Sequence, residues 1–266
     1  MMARTKVTKK RPRIADDAHR KRKQHRKLIK DIRKKGLKKA PDEIRDKKDI
    51  VIRVVRHDGF QIQYASDRLR NDKDIVLTAI KREPTAFDFA SERLQNDEEV
   101  ILTCLKYEPV DDYYEEIDTC LESVSDNVLE NNVFMKKAIR VNGRSLQYAS
   151  TKVRSDKECV LMAVNGNGMM LRFASIELRS DMDVVLAAVK NIPLALEWAS
   201  DNIRDDIEFV KLVISLDIRA LQFATPKVRS DETIGRIAIG LDFDSIQYLS
   251  IDVFKKWCGK EYWTHG

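Results

Sequence analysis

Leu146-Gln147-Tyr148-Ala149-Ser150-Thr151-Lys152-Val153-Arg154-Ser155-Asp156-Lys157-Glu158 decides the fold, because its pattern returns along the chain. A small residue followed by Ser or Thr recurs at Ala65, Ala90, Val124, Ala149, Ala174, Ala199, Ala224 and Leu249, in steps of 25, 34, 25, 25, 25, 25 and 25 residues. A fixed period of this size signals stacked repeats. One copy is too small to bury its apolar face alone, so neighbours share an elongated core. That directs attention to long binding surfaces rather than to a catalytic cleft.

Each copy reads as helical. Four residues after the small residue stands Leu69, Leu94, Val128, Val153, Leu178, Ile203, Val228 or Val253. Seven residues after it stands Asp72, Asp97, Asn131, Asp156, Asp181, Asp206 or Asp231, and an aromatic precedes it in all copies but the third, which has Ser123. Ser155…Glu158, Ser180…Asp183, Asn96…Glu99 and Asp205…Glu208 predict helix starts of the capping-box kind. Val184, Val185, Leu186, Ala188 and Val189 then recur at helical spacing, which predicts a first helix of roughly ten to twelve residues. Gly59, Pro84, Gly143, Gly168 and Pro193 mark where such helices stop, Gly by adopting the left-handed closing conformation and Pro by opening the next helix. A shorter second helix would carry Leu196, Ala199 and Ile203, its Ala allowing close backbone approach and its aromatic filling the gap between units.

The expected fold is all-α: a right-handed or superhelical α-solenoid of about eight helical hairpins with a basic N-terminal extension. The extension spans 1–40 and the array spans 41–254, opening with a partial unit at Ala40-Pro41-Asp42-Glu43-Ile44-Arg45-Asp46. A C-terminal cap over 255–266 holds Trp257, Tyr262 and Trp263.

Leu146-Gln147-Tyr148-Ala149-Ser150 with Val153-Arg154-Ser155-Asp156-Lys157-Glu158 resembles the domain of unknown function 4116. So does Ala174-Ser175…Leu178-Arg179-Ser180-Asp181 with the helix that follows. One family domain covers about two of these units, so the resemblance extends over most of 41–254. It implies a helical array and a protist or giant-virus source, and it transfers no activity, cofactor or functional residue.

Charge is unevenly placed. Residues 1–40 hold 18 Lys or Arg against Asp16, Asp17 and Asp31, a net of 18 − 3 = +15. The rest holds 49 − 18 = 31 basic and 43 − 3 = 40 acidic residues, a net of −9. A basic arm on an acidic body suggests a polyanionic partner. Outside Ile14, Leu28, Ile29, Ile32 and Leu37 the arm offers little to bury, which predicts disorder until it is bound. No Gly or Pro interrupts Asp16 to Lys35, so a basic helix induced on RNA or DNA is the expected bound form. No Phe, Tyr or Trp lies in the arm, so base stacking is not indicated there. Met2-Ala3-Arg4-Thr5-Lys6-Val7-Thr8, departing only at Val7, and His25-Arg26-Lys27-Leu28-Ile29-Lys30-Asp31 are similar to core-histone tails, with no histone-fold domain following. That resemblance implies chromatin association or a modified lysine such as Lys6. Lys9-Lys10-Arg11-Pro12-Arg13 and Arg20-Lys21-Arg22-Lys23 also suffice as nuclear-localisation runs.

The 34-residue step inserts nine residues around 110–118. Its Asp111, Asp112, Tyr113, Tyr114, Glu115 and Glu116 form a candidate protein-binding loop, the alternative being a solvated insertion. Arg70, Arg154, Arg179, Arg204 and Arg229 share one repeat position. Their forks suit phosphate. An Asp two residues after each makes inter-unit ion pairs or carbonyl contacts the better account.

Chemistry is sparse. His19, His25, His57 and His265 form no metal-ligand or triad spacing with Cys104, Cys120, Cys159 or Cys258. Without a phosphate loop, a nucleophile elbow or a catalytic constellation, the expectation is no enzyme, no catalytic residue, no metal, no cofactor and no small-molecule substrate. Cysteine usage and the lack of an apolar leader or span predict an intracellular protein, cytoplasmic or nuclear, with no membrane partner. The expected function is a helical-repeat adaptor. It binds RNA, DNA or a nucleoprotein such as a ribosome or chromatin through Arg20, Lys21, Arg22, Lys23, Arg26, Lys27, Lys30, Arg33, Lys34 and Lys35, and protein through its acidic body. The alternative is a structural component of a virion or large assembly, its arm threading between neighbouring proteins.

Overall fold

The computed structural model describes residues 23–24, 26–32, 34–108 and 120–258, and every regular element among them is a helix. The insertion at 110–118 and residues 259–266 of the expected cap lie outside the described residues. The chain divides into two units, Met1–Tyr107 and Glu108–Gly266.

One repeat of the second unit shows how sequence becomes structure. The long helix Met182–Asn191 buries Val184, Val185, Ala188 and Val189 completely. Spaced one and four residues apart, these form a single apolar stripe. A 3-10 helix, Pro193–Trp198, follows and buries Leu194, Ala195 and Leu196. Burial of each larger side chain contributes roughly 1.5–3 kcal/mol. Ala199 then turns extended, with φ −69° and ψ 155°, before the short α-helix Asp201–Arg204. The expected second helix is therefore two short helices joined at the small residue.

The split has a physical reason. An extended residue at this point frees the next N–H from its own helix, and that N–H donates to the preceding repeat. Ser175, Ser200, Thr225 and Ser250 donate backbone N–H bonds to the carbonyls of Arg154, Arg179, Arg204 and Arg229 at 3.0, 2.9, 3.2 and 3.0 Å. In the first unit Ser66 and Ser91 donate likewise to Arg45 and Arg70, at 3.1 and 3.0 Å. Arg45, Arg70, Arg154, Arg204 and Arg229 end short helices, where carbonyls lack partners within the helix, and Arg179 lies in the 3-10 turn Leu178–Ser180. Ala174, Ala199 and Ala224 are buried at the crossing, so the small residue does permit the close backbone approach expected of it. Long helices pack on the long helices of adjacent repeats, and 3-10 helices on 3-10 helices, within each unit.

Three local expectations change. The cap of each long helix sits one residue later than the capping-box reading placed it. Asp156 accepts from the Glu158 and Cys159 N–H groups at 3.0 and 3.2 Å, and Asp181 from those of Asp183 and Val184 at 3.0 and 3.2 Å. Ser155 instead ends the preceding short helix. Second, Gly59, Gly143 and Gly168 have no left-handed backbone, since Gly36 alone has positive φ among the described residues. They open 3-10 helices where a neighbouring backbone crosses. A Cβ on Gly168 would lie 2.3 Å from the Ala188 carbonyl oxygen. Third, the aromatics Tyr148, Phe173, Trp198 and Phe223 are only half-buried and border the surface.

Ion pairs run alongside the backbone contacts. Lys48 reaches Asp72 and Asp74 at 2.7 and 3.0 Å, Lys73 reaches Asp97 and Glu99 at 2.7 and 2.8 Å, and Lys157 reaches Asp181 and Asp183 at 2.8 and 2.9 Å. The Lys157 hydrogen bond, supported by the Val184 and Asp183 N–H groups, holds the Asp181 carboxyl below the usual carboxylate value against a smaller opposing effect of burial. Hydrogen bonds to Asp181 and Asp183 hold Lys157 above the usual lysine value. The lowered acid stabilises the fold above about pH 4 and loses that contribution as pH falls through its folded value. The raised lysine contributes below about pH 10 and loses its contribution as pH rises through its folded value.

Asp181→Asn should keep the cap while removing the charge. Asn131 already serves this way, accepting from the Val133 and Phe134 N–H groups at 3.1 and 3.2 Å. A thermal-melt series should show a shallower loss of stability between about pH 5 and pH 2 for this variant. Asp181→Ala should cost about 0.5–2 kcal/mol in denaturant unfolding at neutral pH, because two N–H groups lose their acceptor.

Candidate nucleic-acid interface

The basic segment is helical over residues 23–24, 26–32 and 34–35. Ile29 and Ile32 are each 6% exposed, whereas Lys23, Arg26, Lys27, Lys30, Lys34 and Lys35 are all exposed. Lys23, Lys27, Lys30 and Lys34 follow steps of four, three and four residues, which places them along one side of a helix. At a rise of about 1.5 Å per residue the stripe is roughly 16 Å long. Arg20, Lys21, Arg22 and Arg33 lie outside the described residues, as do Asp111, Asp112, Tyr113, Tyr114, Glu115 and Glu116.

These helical residues precede elements in the order of a repeat. The 3-10 turn Leu37–Lys39 follows it, then Ala40 in extended conformation, then the short helix Asp42–Arg45. Ala40 stands 65 − 40 = 25 residues before Ala65. Within the segment expected as a basic extension, the described residues thus follow the order of a repeat: helix, 3-10 turn, extended small residue and short helix. Two isoleucines and the fully buried Leu37 supply its core.

Gly36 makes the turn out of that helix. Its N–H donates to the Ile32 carbonyl at 2.7 Å. With φ 79° and ψ 155° it occupies backbone space essentially reserved for glycine. Gln61 of the next repeat receives it: Gln61 Oε1 accepts from the Leu37 N–H at 2.7 Å, and Lys38 Nζ lies 5.9 Å from the Tyr64 ring centroid. Nothing in the composition of the arm marks Gln61 as its anchor; the residue becomes visible only when two repeats are laid side by side.

Much of the arginine column is engaged within the fold. Arg45, Arg70 and Arg204 pair with Asp42, Asp67 and Asp201 three residues earlier. Arg154 donates to the Gln147 carbonyl at 2.6 Å and Arg204 to the Phe223 carbonyl at 3.2 Å. Arg154 also stacks over Phe173, 5.8 Å from the ring centroid. The Nε atoms of Arg45, Arg70, Arg154, Arg179, Arg204 and Arg229 are closed to solvent. The expected carbonyl contacts are present, while Asp72, Asp97 and Asp181, two residues after Arg70, Gln95 and Arg179, take lysine partners instead. An open recess of about 640 Å³ beside Arg204 and Arg229 is also lined by Glu197, Asp201 and Asp205, so acids offset its cations.

Burial pushes the Cys159 thiol up to about 11, with the neighbouring Asp156 adding to the effect, so this cysteine packs as a neutral thiol. No helix among the described residues is long and apolar enough to cross a membrane.

Comparison with protein families places these repeats. The model of the domain of unknown function (DUF4116) matches residues 47–95, 72–126, 97–154, 134–179 and 156–204. The matches overlap across more than half of the chain, and the chain belongs to this family. No curated protein and no solved structure matches it. The terminal repeat that bears the basic helix precedes the first matched segment.

Gly36→Ala should loosen this terminal repeat. The substitution forces a strained backbone costing about 1–3 kcal/mol. It also sets a methyl 3.2 Å from Gln61 Oε1. Hydrogen exchange should accelerate over residues 26–32 and remain unchanged in the long helix Met182–Asn191.

Proposed function

We propose that the repeats stack as α-solenoids and that the protein is a non-enzymatic adaptor. It binds RNA, DNA or a nucleoprotein through the basic face of its terminal repeat, and protein through its acidic repeats. The observation that carries this reading is the division of labour within one helix. Ile29 and Ile32 are buried, while six cations at Lys23, Arg26, Lys27, Lys30, Lys34 and Lys35 remain exposed. Asp31 is the one acid within 23–35. Lysine and arginine ordered along a fixed helix displace counterions from phosphates without needing a sequence.

Carboxylates of the repeats are less available than composition suggests. Asp72, Asp97, Asp156 and Asp181 are committed to caps and to lysines of the preceding repeat. Among the described residues, Asp126 and Glu92 at short-helix starts are exposed acids that a protein partner could meet, beside the candidate loop acids Asp111, Asp112, Glu115 and Glu116.

Removing residues 1–40 is a poor test, because it would strip a folded repeat from the array. Replacing Lys23, Lys27, Lys30 and Lys34 together by Gln leaves Ile29 and Ile32 in place. This variant should keep its thermal midpoint within about 2 °C and bind nucleic acid more weakly at low salt. The slope of log K against log salt should fall by about 0.7–0.9 for each phosphate that is no longer neutralised. Unchanged affinity and slope in fluorescence anisotropy would eliminate the nucleic-acid reading.

A further inference from the structure

Phe60 occupies the second position of the 3-10 helix Gly59–Tyr64 and is 41% exposed, although its counterparts Met169 and Leu194 are 7% and 3% exposed. The corresponding positions elsewhere hold Thr85, Arg144, Arg219 and Asp244, so an aromatic here is peculiar to this repeat. Its chain neighbour Gln61 is the residue that accepts the Leu37 N–H and lies against Gly36. Phe60 therefore stands one residue along the chain from the contact that receives the end of the basic helix. The same 3-10 helix ends at Tyr64, beneath Lys38.

Cations crowd this end of the repeat. Lys34, Lys35, Lys38 and Lys39 are exposed where the basic helix ends, and Arg56 and Arg82 are exposed around the turn that leads into Phe60. Arg82 Nε donates to the His57 carbonyl at 3.3 Å, which fixes it near that turn. The acids nearby are engaged. Asp58 accepts from the Phe60 N–H at 3.2 Å and from Gln61 Nε2 at 2.9 Å, and Glu83 accepts from Thr85 Oγ1 at 3.2 Å. A second copy of this chain would bring the same cations face to face, so self-association through Phe60 is electrostatically disfavoured. An exposed ring in a segment where lysines and arginines are also exposed matches a chain that carries both flat bases and phosphates.

We propose that Phe60 is a base-stacking platform, and that the basic face of the terminal repeat takes single-stranded nucleic acid in preference to duplex. This rests on the reading that the basic face binds nucleic acid. Its lysines follow the phosphates, while Phe60 supplies a contact that paired, stacked bases cannot reach. Stacking on an aromatic tolerates any base, so the site prefers strandedness over sequence.

Fluorescence anisotropy with the full chain tests this, using a labelled oligothymidylate about 20 nucleotides long, the duplex of the same length and an abasic version of the single strand. Phe60→Ala should weaken single-strand binding about tenfold, within the range expected when one base loses its stacking partner, and leave duplex and abasic binding unchanged. Phe60→Trp should restore or tighten it. Phe60→Leu, which keeps an apolar side chain and the fold, should behave like the alanine variant. Equal affinity of the unaltered protein for all three probes, or no effect of Phe60→Ala and Phe60→Leu on the single strand, overturns the stacking proposal and leaves the phosphate reading standing. Sedimentation that depends on concentration and on Phe60, with unchanged oligonucleotide binding, overturns it as well. Failure of the unaltered protein to bind any of the probes at low salt overturns both.

Discussion

A backbone hydrogen bond between repeats governs the structure. The N–H of Ser200 reaches the Arg179 carbonyl, and the same bond recurs between Ser175 and Arg154 and between Thr225 and Arg204. Each adds only about 1 kcal/mol net, less than one buried leucine. Its leverage is geometric. A buried carbonyl at a helix end left without a partner would cost about 1–3 kcal/mol, which favours closure at these junctions. Closure is served by a residue that is small, extended and followed by an available N–H, although Leu249 precedes the equivalent Ser250 bond. Ala174, Ala199 and Ala224 meet the first two conditions, and breaking the second helix at that residue meets the third. Apolar burial supplies most of the stability, and this bond sets the register in which it is gathered.

Side chains around the junction divide their tasks by reach. An aspartate at each helix start is too short to leave its own turn, so it caps N–H groups and waits for a lysine. Lys48, Lys73 and Lys157 begin the long helices and span to the next cap. Arginine lies at the end of the short helix, where its backbone carbonyl is already committed to the next repeat. Its guanidinium turns to a local carboxylate, a carbonyl or an aromatic face. A charge-rich sequence thus becomes a lattice of short pairs, and the excess positive charge lies in residues 1–40.

Much of this was legible from residues alone. The period, the helical class, the apolar positions and the small residue at the crossing follow from spacing, because each depends on packing repeated at fixed separation. The caps were misplaced by one residue, since Ser155 and Asp156 are both good caps and only the preceding short helix decides between them. Pairing of Asp181 with Lys157 rather than Arg179 was hidden because distance along the chain favoured the wrong partner. The terminal repeat escaped notice for a compositional reason: Ile29, Ile32 and Leu37 are few among lysines and arginines. They suffice because the next repeat offers a surface already formed. The anchoring of Gly36 by Gln61 and the position of Phe60 are tertiary facts with no local signal.

The separations that link repeats constrain how such a chain can change in length. The serine–arginine bond joins residues 21 apart and the lysine–aspartate pairs join residues 24 apart, both shorter than the 25-residue period. Any excised segment of one full period therefore reunites an unused donor with an equivalent acceptor. Excision of a different length within the packed helices leaves a carbonyl facing nothing. Whole-module duplication or loss changes the length of such a chain while keeping these separations.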